Sequence, residues 1–352
     1  MGNTCCAASN INKQDEQETT AQIQKGNNEK NNDNTHTSTN NKINQAAPQE
    51  ENGHYHKSAY NGGTDIGNNN NNKNKNIEGG MDFQNMHKAT HEDNQPTEAA
   101  NKLVRETLGN KERVTLSEIQ MKNGGTYKGQ WKDGMRDGKG KHTWPDGSYY
   151  EGDWLQDKAH GQGKLVHVDG DIYEGEWSND MANGKGIYLH SGGARYEGQW
   201  KDDLQNGQGV ETWPDGAKYE GQYLNGKKNG RGILLFADGS KYIGEFLDNE
   251  ISGFGEYYWS DGKIYKGQWK NNKMNGKGET IWPDNKKYVG EYVDDKKDGH
   301  GCFEWGNGKK YEGKWVNGKQ HGRGYIILPN GEKKEGIWEN GKRIKWINEY
   351  EQ

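Results

Sequence analysis

The segment Tyr127-Lys128-Gly129-Gln130-Trp131 begins a 23-residue unit that recurs without insertion or deletion to the end of the chain. Nine units begin with tyrosine, and a tenth, shortened unit has Lys334 at the equivalent position. A fixed period of this length indicates a repeat protein in which each unit packs on its neighbours. The nine anchor residues are Tyr127, Tyr150, Tyr173, Tyr196, Tyr219, Tyr242, Tyr265, Tyr288 and Tyr311.

Each unit is predicted to be a β-hairpin. In the first strand, Tyr127, Gly129 and Trp131 alternate with polar residues and therefore share one face. After a polar loop, the second strand carries Gly138 and Gly140. Because glycine weakens a strand interior, its recurrence predicts that large rings lie across the sheet and need neighbours without a side chain.

The ring and glycine positions of the first strand are the predicted structural residues of the repeat. Each ring can bury roughly 150–250 Å² against its neighbours. The set is Tyr127, Gly129, Trp131, Tyr150, Gly152, Trp154, Tyr173, Gly175, Trp177, Tyr196, Gly198, Trp200, Tyr219, Gly221, Tyr242, Gly244, Tyr265, Gly267, Trp269, Tyr288, Gly290, Tyr311, Gly313 and Trp315.

Two kinds of connection are expected. Residues 144–147, Trp-Pro-Asp-Gly, have Pro and Gly where a type I turn favours them, and this turn would join one hairpin to the next. Inside the hairpin, residues 132–137 would form the loop, and the residue before the first glycine of the second strand would adopt positive φ. That position holds Asp137, His160, Asn183, Asn206, Asn229, Ser252, Asn275, Asp298 and His321.

The pattern Tyr-x-Gly-x-Trp, then Gly-x-Gly, then Asp-Gly resembles the MORN repeat (membrane occupation and recognition nexus), and residues 127–346 or so carry it. The resemblance implies an all-β fold, an elongated single-layer antiparallel β-sheet of stacked hairpins with nineteen strands. Only 28% of all residues are hydrophobic, which suits a thin sheet better than a thick core. The departures are Gly192-Gly193, Asp284-Asn285 and Leu328, where turn quality or local packing would differ.

Three segments are predicted. Residues 1–95 form an Asn-rich tail, which has too little apolar surface to fold and is read as disordered. Residues 96–121 contain Ala99, Ala100, Leu103 and Val104 at helical spacing, which indicates either a short helical cap or a disordered linker. Residues 122–346 form the repeat array.

The chain opens Met1-Gly2-Asn3-Thr4-Cys5-Cys6, which resembles the dual-acylation termini of membrane-attached signalling proteins. Gly2 would accept myristate, and Cys5 and Cys6 would accept palmitate. One myristoyl chain binds membranes only marginally, and the first 30 residues have no net positive charge to assist it, so the cysteines would supply the second signal. The alternative is a chance glycine followed by two inert cysteines.

No catalytic signature is recognised, and an enzyme is not expected. Gly138-Lys139-Gly140 lacks the following helix of a phosphate loop, the histidines show no metal-ligand spacing, and Cys302 has no evident basic partner. Neither a cofactor, nor a metal, nor a nucleic-acid partner is predicted. The cysteine usage favours an intracellular setting, and no apolar stretch of about 20 residues spans a bilayer.

The leading hypothesis is a membrane-tethered, non-enzymatic scaffold that binds cytoskeletal, junctional or ciliary proteins through the repeat sheet. It would lie at the cytoplasmic face of the plasma membrane or cell cortex, or at a cilium. Self-association is a further expectation, because residues 122–260 are net acidic and residues 261–352 net basic.

The alternatives are direct phosphoinositide or phospholipid binding by the repeats, and an accessory role that recruits a phosphoinositide kinase. Anionic lipids require concentrated basic charge. The predicted lipid patch is Lys286, Lys287, Lys296, Lys297, Lys309, Lys310, Lys342, Arg343 and Lys345.

Overall fold

The computed structural model describes residues 95–108 and 113–347. The predictions made for the N-terminal tail, including those for Gly2, Cys5 and Cys6, lie outside the described residues.

The described residues form one helix and twenty-one strands. The helix is α1 (Glu98–Leu108). The strands are β1 (Val114–Gln120), β2 (Thr126–Lys132), β3 (Met135–Thr143), β4 (Tyr149–Leu155), β5 (Lys158–Val166), β6 (Ile172–Ser178), β7 (Met181–Leu189), β8 (Arg195–Lys201), β9 (Leu204–Thr212), β10 (Lys218–Leu224), β11 (Lys227–Leu235), β12 (Lys241–Leu247), β13 (Glu250–Tyr258), β14 (Ile264–Lys270), β15 (Lys273–Ile281), β16 (Lys287–Val293), β17 (Lys296–Glu304), β18 (Lys310–Val316), β19 (Lys319–Ile327), β20 (Lys333–Glu339) and β21 (Lys342–Trp346).

Each strand pairs antiparallel with the next strand along the chain, so all of them form a single open sheet. The all-β, single-sheet prediction is confirmed. Nineteen strands, β2 to β20, come from the repeats as expected, and β1 and β21 were not predicted. β1 had been assigned to a helical cap or linker, yet it extends the sheet by one strand. Val114, Leu116 and Ile119 are buried in it, and a register shift between Leu116 and Ile119 brings all three to the buried face.

Helix α1 confirms the predicted short helix. Thr97 caps it, because its Oγ1 accepts a hydrogen bond from the Ala100 amide at 3.4 Å. Ala100 and Val104 are buried where the helix packs on β1 and β2. The preceding segment pairs with the end of β1, since the Lys122 amide donates to the Gln95 carbonyl at 2.8 Å. The helix and this segment cover the N-terminal end of the sheet.

The hairpin loops contain two residues, both with positive φ, as in a type I′ turn. Examples are Asn225 (φ 50°) with Gly226 (φ 80°), and Asp202 (φ 48°) with Asp203 (φ 67°). The predicted six-residue loop is therefore wrong, and so is the positive φ at Asp137 and its eight equivalents. The glycine that follows has positive φ instead and lies at the bulge that shifts the register of each hairpin.

The connections between hairpins confirm the predicted turn. The Gly147 amide donates to the Trp144 carbonyl at 3.0 Å, from the fourth turn position back to the first. Asn285 replaces the glycine in one repeat, takes φ 63° itself, and makes the same 3.0 Å bond to Trp282. This departure from the repeat pattern therefore leaves the turn intact.

Each anchor tyrosine lies across two glycines of its own hairpin. A Cβ atom added to Gly140 would lie 2.1 Å from the Tyr127 Oη atom, and one added to Gly129 would lie 2.4 Å from the Gly140 Cα atom. The hydroxyl of Tyr127 donates to the Gln130 carbonyl at 3.1 Å, and all nine anchors repeat this bond. The recurring glycines therefore make room for the ring, as predicted from the sequence.

The rings form a continuous ladder on this face, which we call the ring face. Each anchor contacts an aromatic ring of its own repeat and one of the next, with centroids 5.0–5.6 Å apart and planes at 72–90°. Edge-to-face pairs of this kind contribute about 0.5–1.5 kcal/mol beyond area burial. The ladder runs from Trp131 to Trp338.

Two further hydrogen bonds join neighbouring repeats. The Trp154 Nε1 atom donates to the Gly140 carbonyl at 3.0 Å, and four other tryptophans repeat this bond. At the hairpin end, an Asp or Asn side chain at the second turn position accepts a hydrogen bond from a backbone amide of the preceding repeat. For example, the Ala159 amide donates to Asp180 Oδ1 at 2.7 Å. Five junctions between repeats therefore carry a tryptophan bond at the centre, and junctions with Asp or Asn at the second turn position carry a further bond at the hairpin end.

We expect Gly255→Ala to lower the free energy of unfolding by about 1–3 kcal/mol, because a Cβ there would lie 2.2 Å from the Tyr242 hydroxyl. Chemical denaturation followed by circular dichroism measures the change. Gly239→Asn is the matched control, since nothing lies within 4 Å of that position and Asn285 already occupies the equivalent site. Equal effects of the two substitutions would contradict the proposed role of the tyrosine ring.

Candidate interaction surface on the ring face

A second row of side chains lies beside the ladder, seventeen residues after each anchor. All nine are half-buried, and the seven members other than the two histidines pack against the ladder. In the second and third positions the row holds histidine, and from the fourth to the eighth it is aromatic without interruption. The row is Trp144, His167, His190, Trp213, Phe236, Trp259, Trp282, Trp305 and Leu328.

Lysines accompany the later aromatic residues. Lys263, Lys286 and Lys309 each lie two residues before an anchor, where earlier repeats have Ser148, Asp171 or Ala194. The Lys263 Nζ atom lies 3.7 Å from the Trp259 ring centroid, and Lys309 Nζ lies 5.2 Å from that of Trp305. Burial lowers the pKa of Lys263, and the charge of Asp261 opposes this shift.

Lys297 lies deeper in the same region. Its Nζ atom is 4.6 Å from the ring centroid of Phe303, 5.0 Å from Trp315, 5.3 Å from Trp282 and 5.4 Å from Tyr288. A cation among ring faces is attracted by their quadrupoles. We call the combined region the cationic aromatic surface, and define it as Trp259, Trp282, Trp305, Lys263, Lys286, Lys297 and Lys309.

The structure divides the predicted lipid patch between the two faces of the sheet. Lys287 and Lys310 immediately precede anchors, and lie on the face opposite the rings, where they pair with Glu279 and Glu304. Lys286 pairs with Asp284 at 2.7 Å. In β21, Arg343 lies over the Trp346 ring at 4.1 Å. The nine cations therefore do not form one basic surface.

The predicted structural residues of the repeats all lie in the first strand of each hairpin, on the ring face. The tyrosines have at most 2% of their surface exposed. Cys302 is half-buried in β17, opposite Val289 and Glu312. Among residues 95–108 and 113–347, no group of acidic, histidine or cysteine side chains could hold a metal ion, and no helix could cross a membrane.

One polar cluster on the ring face was not predicted from the sequence. Tyr223 stands where most repeats have tryptophan, and its hydroxyl donates to Glu211 at 2.9 Å. Lys228 Nζ also donates to Glu211, at 2.8 Å, and both charged side chains are largely buried. Tyr292 behaves similarly, with its hydroxyl 2.5 Å from the Thr280 hydroxyl. The signal in the sequence is a tyrosine in the tryptophan column with a polar residue twelve positions earlier.

A second buried polar residue, His142, lies between Tyr127 and Tyr150 on adjacent strands. Its ring is fully buried 4.7 Å from that of Trp144, and neither ring nitrogen has a hydrogen-bond partner among the described residues. Burial, assisted by the charge of Arg136, lowers the pKa of His142 to about 3. The imidazole is therefore neutral at pH 7 and acts as a core side chain.

Nine consecutive segments match the family model described as MORN repeat, namely residues 127–149, 150–172, 173–195, 196–218, 219–241, 242–264, 265–287, 288–310 and 311–333. No curated protein matches the chain.

Among solved structures, the TCP10 domain of Danio rerio CPAP is 14% identical over 58% of this chain and 97% of that chain, with a TM-score of 0.33. The TCP domain of Drosophila melanogaster SAS-4, solved in complex with a proline-rich motif of Ana2, is 16% identical over 45% of this chain and 86% of that chain, with a TM-score of 0.28. Likenesses of this strength give no argument about function.

We expect Glu211→Leu to lower the free energy of unfolding by about 1–3 kcal/mol, because it leaves the Lys228 ammonium without its carboxylate in a largely buried site. The next repeat holds Leu234, Phe246 and Ile251 at the three equivalent positions. The triple variant Glu211→Leu/Tyr223→Phe/Lys228→Ile should therefore regain wild-type stability. Denaturant midpoints test both variants, and a triple variant as unstable as the single one would refute the explanation.

We expect the stability of the protein to fall as the pH decreases from 6.5 towards 3, in part because of His142. The unfolded chain takes up this proton near pH 6.5 and the folded chain only near pH 3, so acid favours unfolding by about 1.4 kcal/mol per pH unit in this window. His142→Leu, which copies Leu165 in the same column, should remove that component. The control is a substitution of the exposed His300, His300→Gln, which leaves His142 in place and should keep the fall in stability that His142 causes.

Proposed function

This chain belongs to the MORN repeat family, and we propose that it is a scaffold held at a membrane by N-terminal acyl groups, which binds proteins through the ring face. The repeats themselves indicate a protein-binding or membrane-associated repeat scaffold, and the family is not an enzyme family.

The observation that carries the proposal is the cationic aromatic surface. Its tryptophans present an open edge while their other edge packs on the ladder, so binding would cost them little conformational entropy. Tryptophan is enriched among the residues that dominate protein interfaces. The lysine row beside it favours partners with carboxylates at the contact, since complementary charge increases association rates and specificity.

The tether is proposed from the first six residues. Gly2 with Cys5 and Cys6 supplies the two lipid signals that stable attachment needs. In this arrangement the acyl groups hold the chain at the cytoplasmic face of the plasma membrane or cortex, or at a cilium, and the ring face recruits cytoskeletal, junctional or ciliary proteins. Covalent lipid is then the contact with the membrane.

Direct phospholipid binding by the repeats is the alternative, as is recruitment of a phosphoinositide kinase. The distribution of lysines weighs against the first, because the predicted cations lie on both faces and several are paired with carboxylates. A partner kinase would be one case of protein binding by the scaffold.

We expect the wild-type protein to fractionate with membranes and Gly2→Ala to move it to the soluble fraction, because both acylations depend on that glycine. Cys5→Ser/Cys6→Ser should weaken membrane attachment, since a single chain binds marginally. Fractionation and imaging in cells measure both effects. Cys302→Ser is the control and should leave the protein at the membrane. Membrane attachment that survives Gly2→Ala would favour the repeats as the lipid-binding part.

Proximity labelling in the same cells tests the surface. Trp282→His/Trp305→His places in this row the residue that His167 and His190 already provide in earlier repeats, so the sheet should persist. The variant should remain at the membrane and lose part of the set of labelled proteins. An unchanged set would exclude the cationic aromatic surface as the binding site.

A further inference from the structure

The face opposite the rings carries a concentrated group of exposed apolar side chains near the middle of the array. Six of the large hydrophobic residues of strands β10 to β13 are 37–57% exposed on this face. We call this group the apolar patch. Its members are Leu224, Ile233, Leu235, Ile243, Leu247 and Phe254.

Comparison between repeats shows that the sheet does not require two of these side chains, Phe254 and Ile243. Phe254 lies twelve residues after its anchor, and that position is polar or charged in the eight other full repeats. Ile243 lies one residue after its anchor, where seven of the nine full repeats have a charged residue and Val289 is the other exception. The eight polar equivalents of Phe254 are Lys139, Gln162, Lys185, Gln208, Arg231, Lys277, His300 and Arg323.

Ile243 and Phe254 are therefore not needed to hold the sheet together. The sheet is one layer thick, and no described element covers this face. Contiguous exposed apolar surface on a folded protein marks an interaction site. Its rim mixes both charges, with Glu220, Lys241, Lys266 and Glu256 around it, which suits another protein surface better than an anionic membrane.

We propose that the apolar patch binds the same patch of a second copy of this chain. In this dimer the two sheets lie face to face. The two-fold axis lies in the interface between them, parallel to the strands and level with the boundary between β11 and β12. Ile233 is directly paired with Ile243 across these strands, and Arg231 with Glu245. A two-fold axis in this direction exchanges the positions of β11 and β12. Ile233 of one copy then packs against Ile243 of the other, and the reverse contact is identical.

The charges beside these isoleucines match in that arrangement. Arg231 of each copy meets Glu245 of the other, which gives two equivalent ion pairs across the interface. Both side chains are exposed, and neither forms an ion pair with another residue in the described part of the chain. The strands of two sheets that pack face to face cross at about 30°. This rotation moves residues far from the two-fold axis out of alignment, but it moves the residues next to the axis least, so the contacts proposed here are retained.

The area of the apolar patch sets the expected affinity of the dimer. Four strands about 4.8 Å apart, with about eight residues of 3.3 Å each, cover roughly 500 Å² per copy. Stable interfaces use about 800 Å² per partner, so this one belongs to the weak, reversible class. We therefore expect a dimer whose dissociation constant is on the order of micromolar.

Analytical ultracentrifugation of the full chain, produced without acylation, tests the proposal. The sedimentation coefficient of the wild type should rise from the monomer towards the dimer value between about 1 and 100 μM. Ile243→Glu/Phe254→Lys should remain monomeric over this range with an unchanged circular dichroism spectrum, since other repeats carry these residue types at the same positions. Val293→Lys is the matched control, because Val293 is 50% exposed outside the apolar patch and Lys270 is its equivalent.

A charge exchange tests the direction of the axis. Arg231→Glu alone should raise the dissociation constant at least about tenfold, because it places two carboxylates together in each contact. Arg231→Glu/Glu245→Arg should restore dimerisation, and Lys314 shows that the second position accepts a cation. A wild type that is monomeric throughout, a dimer that survives Ile243→Glu/Phe254→Lys, or a double charge variant that stays monomeric would each overturn the proposal. A monomer that captures another protein through Phe254 would overturn it in favour of that partner.

Discussion

The structure depends on the contact between each anchor tyrosine and the two glycines beneath it. A single-layer sheet has no second layer to cover its side chains, yet the anchors are buried. They achieve this because the ring lies flat on backbone that has no side chains, with its edges against the rings before and after it. The hydroxyl, which burial would otherwise leave without a partner, donates to a backbone carbonyl of its own strand. The core of this protein is therefore one row of rings.

This arrangement leaves the rest of each repeat free to vary. Because stability comes from the ladder and from bonds between adjacent repeats, residues farther from it can change without loss of the fold. Along the row beside the ladder, His167 and His190 give way to Trp259, Trp282 and Trp305, and lysines appear in the same repeats. On the opposite face, the position of Phe254 is polar or charged in every other full repeat, and the position of Ile243 is charged in seven of the nine. The differences between repeats therefore locate the candidate surfaces.

Much of this fold could be predicted from periodicity, and the exceptions have physical causes. The glycine and tyrosine columns predict the hairpin and the ring contact, because only a close approach explains glycine in a strand. The hairpin loop was placed incorrectly because Asp137 and its equivalents tolerate positive φ as well as the true turn residues do. β1 lies before the repeats and has no second copy to reveal it. The contact between Glu211 and Lys228 joins neighbouring repeats and requires the strand register, which periodicity alone does not supply.

The tenth unit departs from the pattern of the other nine. Lys334 supplies no ring, and the two glycine columns of the second strand accordingly hold Lys345 and Ile347. No described residue pairs with the outer edge of β21, which carries Lys342, Arg343 and Lys345, and cations on an edge strand oppose pairing with an identical edge. At the other end, α1 and the segment before it cover the sheet. Both features oppose growth by strand addition, and the proposed dimer through the apolar patch instead uses a face of the sheet.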